Sequence, residues 1–215
     1  MADLFDDLSA EPGVQAIAPG AVLLHGFVRD QAAALLQAFE QVTAQAPLRH
    51  LVTPGGHVMS VAMSNCGPLG WVSDRSGYRY DAFDPLSGQR WPDMPDIWLD
   101  LVSRAAQQVG YENFKPSACL INEYKPGAKL SLHQDRDEKD LRQPIVSVSL
   151  GLPAVFQFGS QKRDDRPTRW RLMHGDVVVW GGPSRLAFHG VLPLAEGEHC
   201  LTGRRRINLT FRCAT

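Results

Sequence analysis

The sequence predicts a mainly β (α+β) domain: a jelly roll or related sandwich carried on two supporting helices. Three observations point there. From residue 117 onward, apolar and polar residues alternate with period two in eight short segments separated by Pro or Gly turns. Upstream, two segments carry their apolar residues at helical spacing. A length of 215 residues, with 44% hydrophobic and 21% charged, suits one compact domain able to bury its own core.

In chain order, residues 1–13 are acidic, end in Pro12-Gly13, and read as a flexible tail with too little apolar surface to pack. AVLLHGF at 21–27 reads as a strand. From Asp30 to Ala46, Leu35, Leu36, Phe39 and Val42 share one helical face, with Asp30 placed to cap the helix and Pro47 to end it. HVMSVAMSN at 57–65 is a strand, and the Gly-, aromatic- and charge-rich stretch from Cys66 to Trp91 reads as a loop. A second helix runs from Pro95 to Val109, with Ile97, Leu101, Val102 and Ala105 as its apolar face and Gly110 as its stop. SACLINEY, KLSLHQD, IVSVSLG, AVFQFGS, RWRLMHG, DVVVWGG, SRLAFHG and RINLTFR follow as the eight alternating segments. The texture changes near 115, giving a β core from there within a unit over 91–215, and an N-terminal cover with its supporting helix over 14–90. Glycines at 55, 56, 67, 70 and 77 allow the cover to move.

The charge balance, 22 Lys plus Arg against 23 Asp plus Glu, excludes a protein that coats nucleic acid by bulk charge. Any such contact must be local, as in the run Lys162, Arg163, Arg166, Arg169 and Arg171, which otherwise reads as a solvated hairpin. The cysteines at 66, 119, 200 and 213 form no Cys-x-x-Cys pair and read as free thiols of a reducing compartment. The N-terminus is acidic where a signal peptide is basic, and no apolar run approaches the ~18 residues that span a bilayer. The expectation is a cytoplasmic monomer with no membrane association.

Two His-x-Asp pairs are present, His133-Gln134-Asp135 and His174-Gly175-Asp176; with seven histidines and 23 acids in 215 residues, the spacing alone assigns nothing. The second pair sits at a Gly-Asp turn, where Asp is a routine turn residue. The first follows an alternating strand, where i, i+2 spacing puts both side chains on one face. With a second histidine it would complete the two-His, one-carboxylate facial set that binds non-haem Fe(II) and leaves positions open. His189 is the best candidate, against the alternative of a hydrogen-bonded core histidine. Downstream, RINLTFR carries Ile207, Leu209 and Phe211 on one face and Arg206, Asn208, Thr210 and Arg212 on the other. Outward, that row is an ordinary solvated strand; inward, its guanidiniums need a carboxylate. Asn122 and Tyr124, and Ser147 and Ser149, repeat the i, i+2 polar pattern on other strands, which favours a polar-lined interior.

His133-x-Asp135, His189, Arg206-x-Asn208-x-Thr210-x-Arg212 and Asn122-x-Tyr124-x-Pro126-Gly127 together resemble the AlkB family of Fe(II)/2-oxoglutarate-dependent dioxygenases, its bacterial members above all. The likeness extends through CLINEYKPGAKLSLHQDRDE, PIVSVSLGLPAVFQFG, HGDVVVWGG and VTPGGHVMSVAMSNCG, covering nearly all of the chain from Val52. It implies a double-stranded β-helix under an N-terminal nucleotide-recognition lid, with Fe(II), 2-oxoglutarate and O2 as cofactors. His133, Asp135 and His189 would hold iron. Arg206 would pair with the distal carboxylate of 2-oxoglutarate beside Asn122, Tyr124 and Asn208, with Arg212 near the chelating end. Trp71 matches the aromatic on which a flipped base stacks opposite His133, and Asp137 the acid at the base edge. Thr53, Tyr78, Tyr80, Lys129 and Arg163 match positions near the nucleic-acid strand. Arg79 and Glu123 depart from the family pattern; Arg79 is left between a phosphate contact and solvent, and Glu123 without a role. The implied reaction is oxidative demethylation of 1-methyladenine and 3-methylcytosine in single- or double-stranded DNA, or in RNA. The charge on the methylated base favours an indole face and a carboxylate. The alternative keeps iron and 2-oxoglutarate but takes a protein or small-molecule substrate.

Overall fold

The computed structural model describes residues 13–215, so the tail expected over 1–13 lies outside the described residues except for Gly13. Each of the eight alternating segments contributes a strand: β7 (Ala118–Tyr124), β8 (Leu130–His133), β9 (Ile145–Gly151), β10 (Ala154–Phe158), β11 (Thr168–Leu172), β12 (Val177–Trp180), β13 (His189–Val191) and β14 (Arg206–Arg212). Four earlier strands, β1 (Gly13–Ala18), β2 (Ala21–His25), β3 (Arg49–Val52) and β4 (Val58–Cys66), extend the same assembly. The major sheet runs β1-β2-β12-β9-β14-β7-β4-β3 and faces a minor sheet, β11-β10-β13-β8. Four strands from 13–66 are thus woven into the major sheet, with β2 on β12 and β4 on β7.

Period two puts alternate residues of the central strands on opposite faces. One face packs under the helices α1 (Ala32–Gln45) and α2 (Asp96–Gln108): Val146, Val148, Leu150, Val177, Val179, Ile207, Leu209 and Phe211 join Leu35, Phe39, Trp98 and Leu101 in one core. The other face meets the minor sheet, where Leu23, Leu120, Val178 and Trp180 pack with Phe156, Phe158, Leu172 and Val191. β7, β9 and β14 are therefore buried on both faces throughout, and the row Arg206, Asn208, Thr210, Arg212 lies inside. Among the described residues no helix is long and apolar enough to cross a membrane.

Four local expectations are corrected. Asp30 does not cap α1: it lies in a 3-10 turn, Arg29–Gln31, and α1 starts after Gln31 with no side-chain cap. The apolar face of α2 includes the fully buried Trp98, which the expected face omits, with Ile97 half-buried and packed on the core. The stretch from Cys66 to Trp91 is not all loop, since β5 (Gly70–Asp74) and β6 (Gly77–Asp81) pair as a hairpin. Its two-residue loop closes because Asp74 accepts the Ser76 N–H at 2.8 Å and Gly77 takes φ +132°. SRLAFHG holds only the start of β13; a 3-10 turn, Gly182–Ser184, precedes it, with Ala187 N–H donating to Ser184 O at 2.9 Å, Phe188 N–H to Ser160 O at 2.8 Å and Gln134 Nε2 to Leu186 O at 2.6 Å.

Leu209, fully buried between the sheet and the helices, is expected to lower stability by about 3 kcal/mol when changed to Ala. Urea denaturation measures this, and metal binding should survive because the polar face of β14 is unaltered.

Candidate active site

β8 and β13 pair antiparallel with His133 opposite His189, setting their rings 4.4 Å apart. Each ring is anchored at Nδ1 to a carbonyl two residues back: His133 to Ser131 O at 2.9 Å and His189 to Ala187 O at 3.0 Å. The Nε2 atoms therefore face Asp135, at 3.6 Å from Oδ1 for His133 and 3.7 Å from Oδ2 for His189. The three ligand atoms lie within 4.8 Å of one another, a donor set of two imidazoles and one carboxylate that suits Fe(II). Phe156 and Trp180 flank His189, with Trp180 edge-on at 5.0 Å.

β14 places Arg206, Asn208, Thr210 and Arg212 opposite Tyr124, Asn122, Leu120 and Ala118 on β7, and the first three opposite Gly151, Ser149 and Ser147 on β9. Arg212 donates from Nε and Nη2 to Asp135 Oδ2 at 2.9 and 2.7 Å. Asn208 donates to Ser147 Oγ and Val148 O, both at 2.8 Å. Arg206, 1% exposed, donates to Ser149 Oγ at 2.9 Å and lies 5.0 Å over the Tyr124 ring. Its Nε and Nη1 have no partner, nor does Asn122 Oδ1. A guanidinium so buried with two nitrogens lacking a hydrogen-bond partner fits an anionic ligand whose carboxylate reaches it between the sheets, as the distal carboxylate of 2-oxoglutarate would.

The hairpin β5–β6 stands over the segment that follows β8. Trp71 Nε1 donates to Asp137 Oδ2 at 2.9 Å, and its indole stacks on Tyr78 at 5.5 Å between centroids. Tyr80 OH donates to Glu138 Oε1 at 2.6 Å. Arg163 reaches the same rim, donating to Leu132 O at 3.2 Å and lying over Phe188. Thr53 and Lys129 lie further out. Thr53 Oγ1 accepts the His57 N–H at 3.1 Å in the β3–β4 turn, and Lys129 N–H donates to Ser60 Oγ at 3.0 Å.

The open cases resolve into structure. Arg79 pairs with Asp74 at 2.9 Å on its own hairpin. Glu123 pairs with Arg205, which also holds Glu40 on α1. Asp176 accepts the Gly26 and Met173 N–H groups at 2.8 Å, and His174 Nδ1 accepts that of Gly151 at 2.9 Å, so this pair joins strands. Sequence reasoning missed Asn65, Glu138 and Arg185. Asn65 clamps Trp71 by both main-chain groups, accepting its N–H and donating to its C=O at 2.9 Å each. Gly70 is required at this approach, because a Cβ there would meet the Trp91 ring at 2.4 Å. Glu138 hides in an acid-base run that reads as solvated, and Arg185 in a segment that reads as strand.

Burial first, then the nearby His133, hold the His189 imidazole down at about 4, so it is neutral and available as a ligand at neutral pH. Unfolded, it titrates near its ordinary 6.5. Between these values the unfolded chain binds more protons, so this contribution to stability is present above about 6.5 and is lost as pH falls toward about 4. The urea midpoint of the metal-free protein should fall across this window, and fall less in His189→Gln.

A family model described as the 2OG-Fe(II) oxygenase superfamily matches residues 20–212. The alpha-ketoglutarate-dependent dioxygenase AlkB of Escherichia coli (strain K12) is 57% identical over 100% of this chain and 98% of its own length. The nucleic acid dioxygenase ALKBH1 of Homo sapiens is 34% identical over 62% of this chain and 36% of its own. Among solved structures, "The structure of OsALKBH1" superposes with a TM-score of 0.81 at 29% identity, covering 93% of this chain and 99% of that one. With its fold, its His-Asp-His set and its length matched together, the chain belongs to the AlkB family of Fe(II)- and 2-oxoglutarate-dependent dioxygenases.

Proposed function

We propose that this dioxygenase repairs alkylated nucleic acid, removing the methyl group from 1-methyladenine and 3-methylcytosine in single- or double-stranded DNA, or in RNA. The observation that carries this reading is the pairing of the Trp71 indole with the Asp137 carboxylate at 2.9 Å, two residues beyond Asp135. An aromatic face joined to a carboxylate suits a flat, cationic base: the face contributes about 1–2 kcal/mol by cation-π attraction, and the carboxylate about 1.5–3 kcal/mol by a charge-assisted bond. An unmethylated base lacks the charge. Stacking also offsets the cost of extruding the base, which is smaller for one that pairs poorly.

His133, Asp135 and His189 would hold Fe(II), which when bound supplies the activation of O2 that couples oxidation of 2-oxoglutarate to succinate and CO2 with hydroxylation of the N-methyl group. Arg206 would take the distal carboxylate through Nε and Nη1, with Asn122, Tyr124 and Asn208 beside it. Arg212 fixes Asp135 and stands near the chelating end. Phe156 and Trp180 keep the His189 side dry. The hydroxylated methyl leaves as formaldehyde, restoring the pairing edge. Within 14–90 the β5–β6 hairpin would serve as the recognition lid and α1 as its supporting helix, while β1–β4 complete the sheet of the catalytic unit of 91–215. Tyr78, Tyr80, Thr53, Lys129 and Arg163 would follow the strand, with Lys162, Arg166, Arg169 and Arg171 beyond them. One chain carries every group named, which supports action as a monomer. Four free cysteines, two of them buried, support a reducing cytoplasm.

Aerobic incubation with Fe(II), ascorbate, 2-oxoglutarate and a single-stranded oligonucleotide carrying 1-methyladenine should remove one CH2 in mass and release formaldehyde. Brisk 2-oxoglutarate turnover on another substrate, with the oligonucleotide unchanged, would sink the repair reading. Trp71→Ala should weaken oligonucleotide binding while Mn(II) binding persists; equal loss of both would make the indole a support of the fold. Asp137→Asn should cut the preference for a cationic over a neutral methylated base roughly tenfold in kcat/KM.

A further inference from the structure

Glu138 is a carboxylate with no role in the chemistry described so far, and its side chain is only 2% exposed. A charge that deep needs partners, and it has three. Arg185 Nη2 donates to Oε2 at 3.0 Å, Tyr80 OH donates to Oε1 at 2.6 Å, and Arg212 Nε lies 3.5 Å from Oε1. The two guanidiniums also hold Asp135. Arg212 binds its carboxylate at 2.7 and 2.9 Å, and Arg185 Nη1 donates to its main-chain carbonyl at 2.7 Å. Arg185 is tied down again by Nε to Gln143 O at 3.0 Å. Glu138 thus sits between the cations that aim the metal carboxylate.

Its third partner comes from the cover. Tyr80 on β6 is the register partner of Trp71 on β5, and Trp71 binds Asp137. The hairpin is therefore bolted by two opposed aromatic residues to two successive acids, and one of those acids reaches Asp135 through arginine. We propose that Glu138 is a positioning residue: it sets the guanidiniums that orient Asp135 and takes the Tyr80 hydroxyl, so that the metal carboxylate and the β5–β6 hairpin are held as one unit. Metal binding then steadies the hairpin, and by reciprocity a seated hairpin tightens the metal. Without the Glu138 charge, Arg212 is left with the Asp135 carboxylate alone and draws Oδ2 away from a metal, while Arg185 keeps only the main-chain carbonyls of Asp135 and Gln143.

This rests on Asp135 being an iron ligand, so the test separates the two ideas. Mn(II) binding is measured anaerobically by electron paramagnetic resonance on the full chain, and hydrogen exchange of residues 70–81 is followed with and without saturating Mn(II). The parent protein should bind Mn(II) and slow exchange across the hairpin. Glu138→Gln should bind 10–100-fold more weakly, and at saturation should leave the hairpin unprotected while amides of β7, β9 and β14 stay slow. Tyr80→Phe, which keeps both arginines paired, should lose less affinity but the same hairpin protection, and it decides the matter if Glu138→Gln fails to fold. Unchanged Mn(II) affinity in Glu138→Gln overturns the proposal, as does metal-induced protection that persists in either variant or is missing from the parent. A parent protein that binds no Mn(II) refutes the iron-ligand assignment itself.

Discussion

The site depends on one buried ion pair. Arg212 projects from the last strand of the major sheet, Asp135 follows β8 of the minor sheet, and two hydrogen bonds to a single oxygen, Oδ2, join them across the interior. Burial alone would push the Asp135 carboxyl up, but Arg212, then His189 and His133, outweigh it and hold the group well below the usual carboxylate range. The carboxylate is therefore ionised, as a metal ligand must be, and its other oxygen faces His133. Such a pair adds little to stability after desolvation. Its contribution is registry, because it fixes the segment 134–138 against the sheet and so places Asp137 and Glu138 beneath the cover.

That pair requires Arg212 to point inward, and period two then dictates the rest of β14. With Arg206, Asn208, Thr210 and Arg212 on the inner face, Ile207, Leu209 and Phe211 must face the other way, and α1 and α2 cover them. The helices thus help to set the site. Without their apolar cover the sheet would have one face in water, and the polar row would be free to take that side.

Much of this was legible in the chain. The eight alternating segments became strands, and the inward reading of the polar row followed from β7 and β9 repeating it. His133-x-Asp135 with His189 was legible because i, i+2 spacing on a strand specifies a shared face. What stayed hidden depends on contacts distant in sequence. Glu138 and Arg185 are 47 residues apart, and each alone reads as a solvated charge. Asn65 acts through its amide on a main chain six residues away, a bond without a periodic signature. The hairpin was obscured because Trp71 to Tyr80 mixes aromatics with charge, although Asp74 and Gly77 bracket a two-residue turn. The Asp30 cap failed for a local reason: a 3-10 turn intervened and moved the helix start past it.

The charges inside the site also bear on how a near-neutral chain would select a cationic base, as proposed. Arg185 and Arg212 are paired with Glu138 and Asp135, and Arg206 is buried apart from both carboxylates, leaving one positive charge in surplus. That surplus is Arg206, which donates to a neutral hydroxyl and whose two other groups are unused. The proposed occupants, a divalent cation and a dicarboxylate, cancel each other and leave the surplus in place. A methylated base carrying its own positive charge would then be repelled at a site of low dielectric unless a further anion faced it. Asp137 is placed to be that anion: it lies outside the arginine network, its carboxylate oriented by the indole N–H of Trp71. On the proposed function, selection for damaged bases would rest on a carboxylate separate from the one that would hold the metal, and the pairing of Trp71 with Asp137 would keep the two functions apart.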